Sequence, residues 1–206
     1  MRDKVQEQIR RRIIRQGRGK LYVNTDFANL ASPDAIRKAL QRLSEEGFII
    51  REFRGIYSYP KIDKMFGFGA LRPTLWDIAQ AIARRDHVRV APSASVALNK
   101  LGLSEQVPMN AVFLTTGSAR RVKVGNGKGI LFKHSSDNNL FAYKSPIMQL
   151  IVLAMRDIGE GELTSEELGI IQTHIKHVGE KEFAHDICLA PVWIQEIFHN
   201  LRNTQI

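Results

Sequence analysis

Residues 24–60 read NTDFANLASPDAIRKALQRLSEEGFIIREFRGIYSYP, and the order of elements in that stretch decides the fold. Thr25–Leu30 predicts a helix of about two turns, with Asn24 or Thr25 as its N-cap. A tight turn follows. Ser32 then caps a second helix, with Pro33 at its first position, where a missing N–H costs nothing, and Asp34 beside the positive helix end. Gly47 closes that helix as a C′ residue. Residues 48–53 and 56–60 predict two short strands around Arg54-Gly55. Helix, turn, basic helix and hairpin in this order are the sequence signature of a winged helix-turn-helix, which lays its second helix in the DNA major groove.

The second helix has two distinct faces. Ile36, Ala39, Leu40 and Leu43 recur at i, i+3, i+4 and i+7 and predict a buried stripe. Asp34, Arg37, Lys38, Gln41 and Arg42 occupy the opposite side. A charged outer face is usually a solvated face. Here the basic residues sit in the N-terminal half, where a recognition helix reaches bases, and Glu45 and Glu46 stand at the far end. DNA binding is therefore expected over an inert winged fold used for protein contacts. Arg37, Lys38, Gln41 and Arg42 are the groove-reading candidates, with Arg51 and Arg54 on the hairpin. Upstream, Ile9, Ile13 and Ile14 among arginines predict an amphipathic first helix. Such a helix can lie on a membrane. The commoner role is the first helix of the DNA-binding domain, with Arg10, Arg11, Arg12 and Arg15 near phosphates.

The 206 residues are 44% hydrophobic and 25% charged, a globular balance with enough chain for one large or two small domains. No run of 18 apolar residues predicts a membrane span, and the N-terminus has no apolar signal core. One cysteine, Cys188, makes no internal disulfide and fits a reducing cytosol, so a cytoplasmic protein is expected. The net charge of +9 is unevenly spread. Residues 1–64 hold 15 Lys/Arg against 8 Asp/Glu, and residues 65–146 hold 11 against 4. Residues 147–206 reverse the balance, with 4 against 9. The first two thirds suit a polyanion. The acidic end suits intramolecular cover or contact with a basic protein.

The expected class is α+β, with a winged helix-turn-helix domain at 1–64 and an α+β domain at 65–206. Residues 65–73 read as a Gly/Pro-containing linker. Thr74 caps a helix through Arg84, and His87–Val90 predict a short strand. Pro92-Ser93 open a helix ending at Leu101-Gly102. Residues 111–115 predict a strand, and 120–124 with 130–134 a hairpin around the glycine-rich 125–129. These strands make a small sheet. Residues 147–206 are helical, at about 147–158, 164–174, 179–187 and 190–202. Trp193, Ile197, Phe198 and Leu201 give the last helix an apolar face that is either core or interface.

The catalytic patterns fail on spacing. Gly125–Gly129 contain Lys128, but glycine follows the lysine and a strand follows the loop, so a hairpin turn is read instead of a phosphate loop. Gly117-Ser118 matches the opening of nucleotidyltransferases. That chemistry needs Mg²⁺ held by paired carboxylates, and the residues that follow are Val122-Lys123-Val124. His174, His177, His185 and Cys188 do not match a common zinc spacing. Ser93 and Ser95 lack a nucleophile elbow. No catalytic residue, cofactor or metal is expected.

The run Asp26-Phe27-Ala28, Ser32, Ile36, Ala39-Leu40, Leu43, Gly47-Phe48-Ile49 and Arg54-Gly55-Ile56-Tyr57 resembles the N-terminal domain of AbiEi-type antitoxins of type IV toxin–antitoxin (abortive-infection) systems. The resemblance continues through Ala83-Arg84-Arg85-Asp86, Leu101-Gly102-Leu103-Ser104, Gln106-Val107-Pro108 and Arg121-Val122-Lys123-Val124-Gly125-Asn126. It covers most of residues 20–134, and the LGLSxQVP stretch with the hairpin after it is its discriminating part. It implies a winged helix that represses its own promoter and a C-terminal region that opposes a nucleotidyltransferase-like toxin encoded next door. Carried onto this chain, Arg37, Lys38, Gln41 and Arg42 read the groove, while Arg51 and Arg54 hold flanking phosphates. Few motif residues match after 146. Two other classes stay open: a stand-alone regulator answering to a ligand in the α+β part, and an RNA-binding factor or enzyme using the basic middle.

Overall fold

The computed structural model describes residues 2–63, 69–106, 111–124 and 129–203. The fold is α+β. Eight α-helices and nine short strands appear among the described residues. They divide into two compact units, Met1–Arg89 with Arg121–Ile130, and Val90–Arg120 with Leu131–Ile206.

The first unit opens with α1 (Arg2–Gln16), β1 (Leu21–Val23), α2 (Pro33–Glu45), β2 (Ile50–Phe53) and β3 (Ile56–Ser58). The expected stripe of α2 is its buried face: Ile36, Ala39, Leu40 and Leu43 are all buried. They pack with Ile9 and Ile13 of α1 and with Tyr22, Phe27, Ile49 and Tyr57 in one core. Full burial of such side chains contributes about 1.5–3 kcal/mol each, which is why α2 holds a fixed orientation. After Gly47, the Phe48 and Ile49 amides both donate to the Leu43 carbonyl, at 2.9 and 3.3 Å, and turn the chain into β2. Strands β1, β3 and β2 form an antiparallel sheet in that order, with Val23 opposite Ile56 and Leu21 opposite Ser58.

The expected helix at Thr25–Leu30 is a single 3₁₀ turn, Asn24–Phe27. The Val23 amide donates to Asp26 Oδ2 at 2.8 Å. Phe27 is fully buried, with its ring 5.8 Å from that of Tyr22. The carboxylate holds the turn to the end of β1 and the ring anchors it in the core, so it tightens instead of propagating. Ser32 stands at the N-cap of α2, but its side chain makes no capping bond.

Part of the stretch read as a linker is strand. Strand β4 (Lys61–Asp63) pairs antiparallel with β5 (Gly69–Leu71); residues 64–68 lie outside the described residues. Helix α3 (Leu75–Asp86) is capped as expected: the Asp77 amide donates to Thr74 Oγ1 at 3.1 Å, and the Thr74 amide returns a bond to Asp77 Oδ2 at 2.9 Å. Helix α3 packs on β1 and β3, so the first unit runs past residue 64. The helix stops at His87, which has φ 55. That left-handed cap displaces the strand expected at 87–90 to β6 (Val90–Pro92).

The second unit is helix-rich. Helix α4 (Ala94–Leu101) ends on Gly102 with φ 77. Strands β7 (Ala111–Thr115), β8 (Arg120–Lys123) and β9 (Gly129–His134) complete a sheet of order β6-β7-β9-β8, of which residues 121–130 are counted with the first unit. The turn read at Gly125–Gly129 falls, through residue 128, outside the described residues. Helices α5 (Pro146–Ile158), α6 (Ser165–Ile175), α7 (Glu180–Asp186) and α8 (Val192–Asn203) lie close to the expected bounds. Phe198 is fully buried and Trp193 packs against the same core, so the apolar face of α8 is core.

Candidate nucleic-acid interface

Helix α2 is pressed into the unit by one face, so its other face is presented outward. Arg37, Lys38 and Gln41 are exposed, and Arg42 is half-buried at the margin. Arg37 Nη2 lies 3.2 Å from Asp34 Oδ1, and Gln41 Nε2 donates to Glu45 Oε1 at 2.9 Å. Both bonds are exposed and local to the helix, so a ligand displaces them at little cost. Lys38 and Arg42 also line a groove of about 260 Å³ with Val5 of α1 and Ser32, Asp34, Ala35 and Ala39. Four polar side chains thus share one helical face, which can meet base edges or phosphate oxygens.

The hairpin candidates are exposed as well. Arg51 lies on β2 opposite Tyr57, and Arg54 occupies the turn. Gly55 has φ 72, a conformation that suits glycine. The turn is held from behind by a residue outside the sequence-derived set: Arg85 Nη1 donates to the Arg54 carbonyl at 2.6 Å. Its guanidinium lies 5.6 Å from the Phe53 ring centroid. Arg85 is itself oriented by Asp86, with Nε donating to Oδ1 at 2.7 Å.

The arginines of α1 do not form one patch. Successive helical residues are about 100° apart. Arg10 leaves on one flank, pairs with Glu46 at the end of α2, and lies 4.4 Å from the Phe48 ring centroid. Arg12 leaves on the other flank and donates to Asn29 Oδ1 at 2.7 Å. Arg11 pairs with Glu7 at 2.8 Å on the outer side, away from Ile9 and Ile13. Arg10 is thus engaged with the end of α2, and Arg11 is engaged along α1 itself. Arg12 opens onto a second concavity of about 430 Å³, lined also by Gln16, Lys20, Thr25, Asp26 and Arg84. Lys20 and Arg84 carry no local pattern that marks them: Arg84 Nη2 donates to the Leu21 carbonyl at 2.9 Å across 63 residues of chain.

His174 Nε2 lies 3.2 Å from the Leu101 carbonyl, and His185 Nδ1 lies 2.7 Å from Asp186 Oδ1. Cys188 is exposed. Among the described residues, no group of three His, Cys, Asp or Glu is placed to hold a metal ion, and no helix is long and apolar enough to cross a membrane. Burial raises the Tyr22 hydroxyl above its ordinary pKa, with the Asp26 carboxylate adding to the shift.

A family model described as a family of unknown function, DUF6088, matches residues 8–187. The chain belongs to the DUF6088 family. Neither a curated protein nor a solved structure matches it. The span matched to DUF6088 includes all of α2, the β2–β3 hairpin and both arginines at the end of α3.

Proposed function

We propose that this chain is a sequence-specific duplex-DNA-binding repressor that reads its own upstream DNA through α2, and that it is the antitoxin of a type IV toxin–antitoxin pair. One observation carries the DNA reading: α2 buries its entire apolar stripe and leaves Arg37, Lys38 and Gln41 exposed. The element order α1, β1, turn, α2, β2, β3 and the sheet order β1-β3-β2 support reading this part as a winged helix-turn-helix. Base readout falls to the polar side chains of α2, and salt-sensitive affinity to the surrounding arginines. The antitoxin role draws on the sequence resemblance alone. It assigns opposition to a nucleotidyltransferase-like toxin to the second part of the chain; the failed catalytic spacings and the single cysteine add to the proposal a protein without enzymatic activity, set in the cytoplasm.

Fluorescence anisotropy against the upstream duplex and a scrambled duplex, at two salt concentrations, tests the DNA reading. A preference that survives higher salt is expected. Arg37→Ala should lose about 1–3 kcal/mol of discrimination, while Arg54→Ala should weaken binding to both duplexes by the same factor. Wild-type behaviour in both variants would remove α2 and the hairpin as the contact surface. Co-expression with the product of the adjacent gene tests the antitoxin role, with relief of growth arrest as the expected result.

A cleft of about 480 Å³ in the second unit favours one further reading, a regulator that answers to a small ligand. Lys133, Ser135, Ser93 and Ser95 line it together with Leu114, Leu140 and Leu153. Arg156 is engaged there with Asp137 at 2.8 Å. A small molecule that changes DNA affinity would mark this reading.

A further inference from the structure

The concavity between α1, β1 and the end of α3 has a charge surplus that the fold leaves uncompensated. Three cations, Arg12, Lys20 and Arg84, line it against one carboxylate, Asp26. Asp26 is already committed: Oδ2 accepts the Val23 amide at 2.8 Å and lies 3.7 Å from Arg84 Nη2. Lys20 is exposed and has no ion-pair partner among the described residues. Like charges held together repel, so an anion entering this space is favoured before any hydrogen bond forms.

The two guanidinium groups are held in place by bonds that leave most of their donors unused. Arg84 spends one N–H on the Leu21 carbonyl, and Arg12 spends one on Asn29 Oδ1. Each guanidinium has five N–H donors in a planar fork that matches phosphate oxygens. Anchoring lowers the side-chain entropy lost on binding. Gln16 and Thr25 add polar groups to the same lining.

The location points to the source of the anion. Arg12 is tied to Asn29, which lies in the short turn that leads to Ser32 and the N-terminal end of α2. Arg37 and Lys38 begin the exposed face from that same end. A duplex engaged by α2 carries phosphates along each strand at about 3.4 Å of axial rise, and the Arg12–Asn29 bond sets the concavity beside the turn that opens α2.

We infer that the concavity lined by Arg12, Lys20 and Arg84 receives a backbone phosphate of the duplex whose groove α2 reads. The inference rests on the DNA-binding reading above and adds a phosphate clamp that is independent of base identity.

The test is the dependence of affinity on salt, measured by anisotropy for the full chain and for Lys20→Gln and Arg84→Gln. Each variant should lower the slope of log K against log salt by about 1. Affinity for the upstream and scrambled duplexes should fall by the same factor, leaving the preference intact. Lys20→Gln breaks no bond of the fold, so it decides the matter if Arg84→Gln melts early. Lys176→Gln, in the second unit, is the control. An equal fall in slope there would mean only overall charge and would overturn the site. Duplex binding by the wild type with slopes unchanged in Lys20→Gln and Arg84→Gln sinks the clamp and leaves the DNA reading standing. Wild-type protein that binds no duplex sinks both. Inorganic phosphate that raises the melting temperature of the wild type but not of Lys20→Gln, with unchanged DNA slopes, would make this a free-anion site and overturn the duplex assignment.

Discussion

Single residues show how far side-chain chemistry departs from charge counting. The run Arg10-Arg11-Arg12 is one basic cluster in sequence, yet the helix sends the three side chains to Glu46, Glu7 and Asn29. Asp186 is the opposite case: nothing in its neighbourhood marks it, and the structure gives it a central role. Its carboxylate is fully buried and accepts the amides of Lys144 at 2.9 Å and Ser145 at 2.7 Å. It thereby joins the start of α5 to the end of α7. Removing it leaves the amide of buried Ser145 without a partner, at about 1–3 kcal/mol, while the amide of exposed Lys144 loses the net worth of one hydrogen bond, about 0.5–1.5 kcal/mol. Asp186→Ala should therefore lower unfolding stability by about 2–4 kcal/mol in urea titration. A loss within experimental error would mean that water replaces the carboxylate.

Elements were legible where their information is local. Helix α2 carries its apolar stripe and opening proline within 13 residues, and it forms where expected. Helix α3 is the same case, with its capping box at Thr74 and Asp77. The 3₁₀ turn at Asn24–Phe27 was not legible, because the bond from the Val23 amide and the burial of Phe27 decide its length. The β2–β3 turn combines both kinds of information. Gly55 supplies the left-handed residue locally, and Arg85 fastens the turn from 31 residues away. A Cβ at Gly55 would meet Arg85 Cδ at 3.6 Å, an ordinary contact, so the cost of Gly55→Ala is conformational. That cost should be about 1–2 kcal/mol of stability, with amide exchange at Arg54 and Ile56 quickened first. Unchanged exchange there would show that the turn relaxes into another conformation.

On the scale of the whole molecule, each unit has its own core and its own electrostatic signature. In the second unit, the hydrogen bond from Arg156 holds the Asp137 carboxyl below its ordinary value of 3.8, against the opposing pull of partial burial. A carboxylate with a lowered folded-state pKa contributes stability that is present above its unfolded value and lost as pH falls through the folded one. Asp137→Asn should thus be less stable than the wild type at neutral pH and show a shallower decline below about pH 4. Parallel acid-unfolding curves would remove Asp137 from the account.

The amino-acid sequence alone determined the α+β class, the basic helix α2 with its buried and exposed faces, and the helical character of residues 147–206. These follow from period, capping and turn chemistry, which act over a few residues. Tertiary structure alone decided which cations are spent and which remain outward. Arg10 and Arg85 are bound within the first unit, and Arg37, Lys38, Arg51 and Arg54 stay exposed. It also brought Arg84 beside Leu21 and so assembled a cationic concavity from three separate elements. The physical reason is range. A hydrogen bond between residues 63 positions apart leaves no periodic trace in the chain and exists only once the apolar faces have chosen their partners.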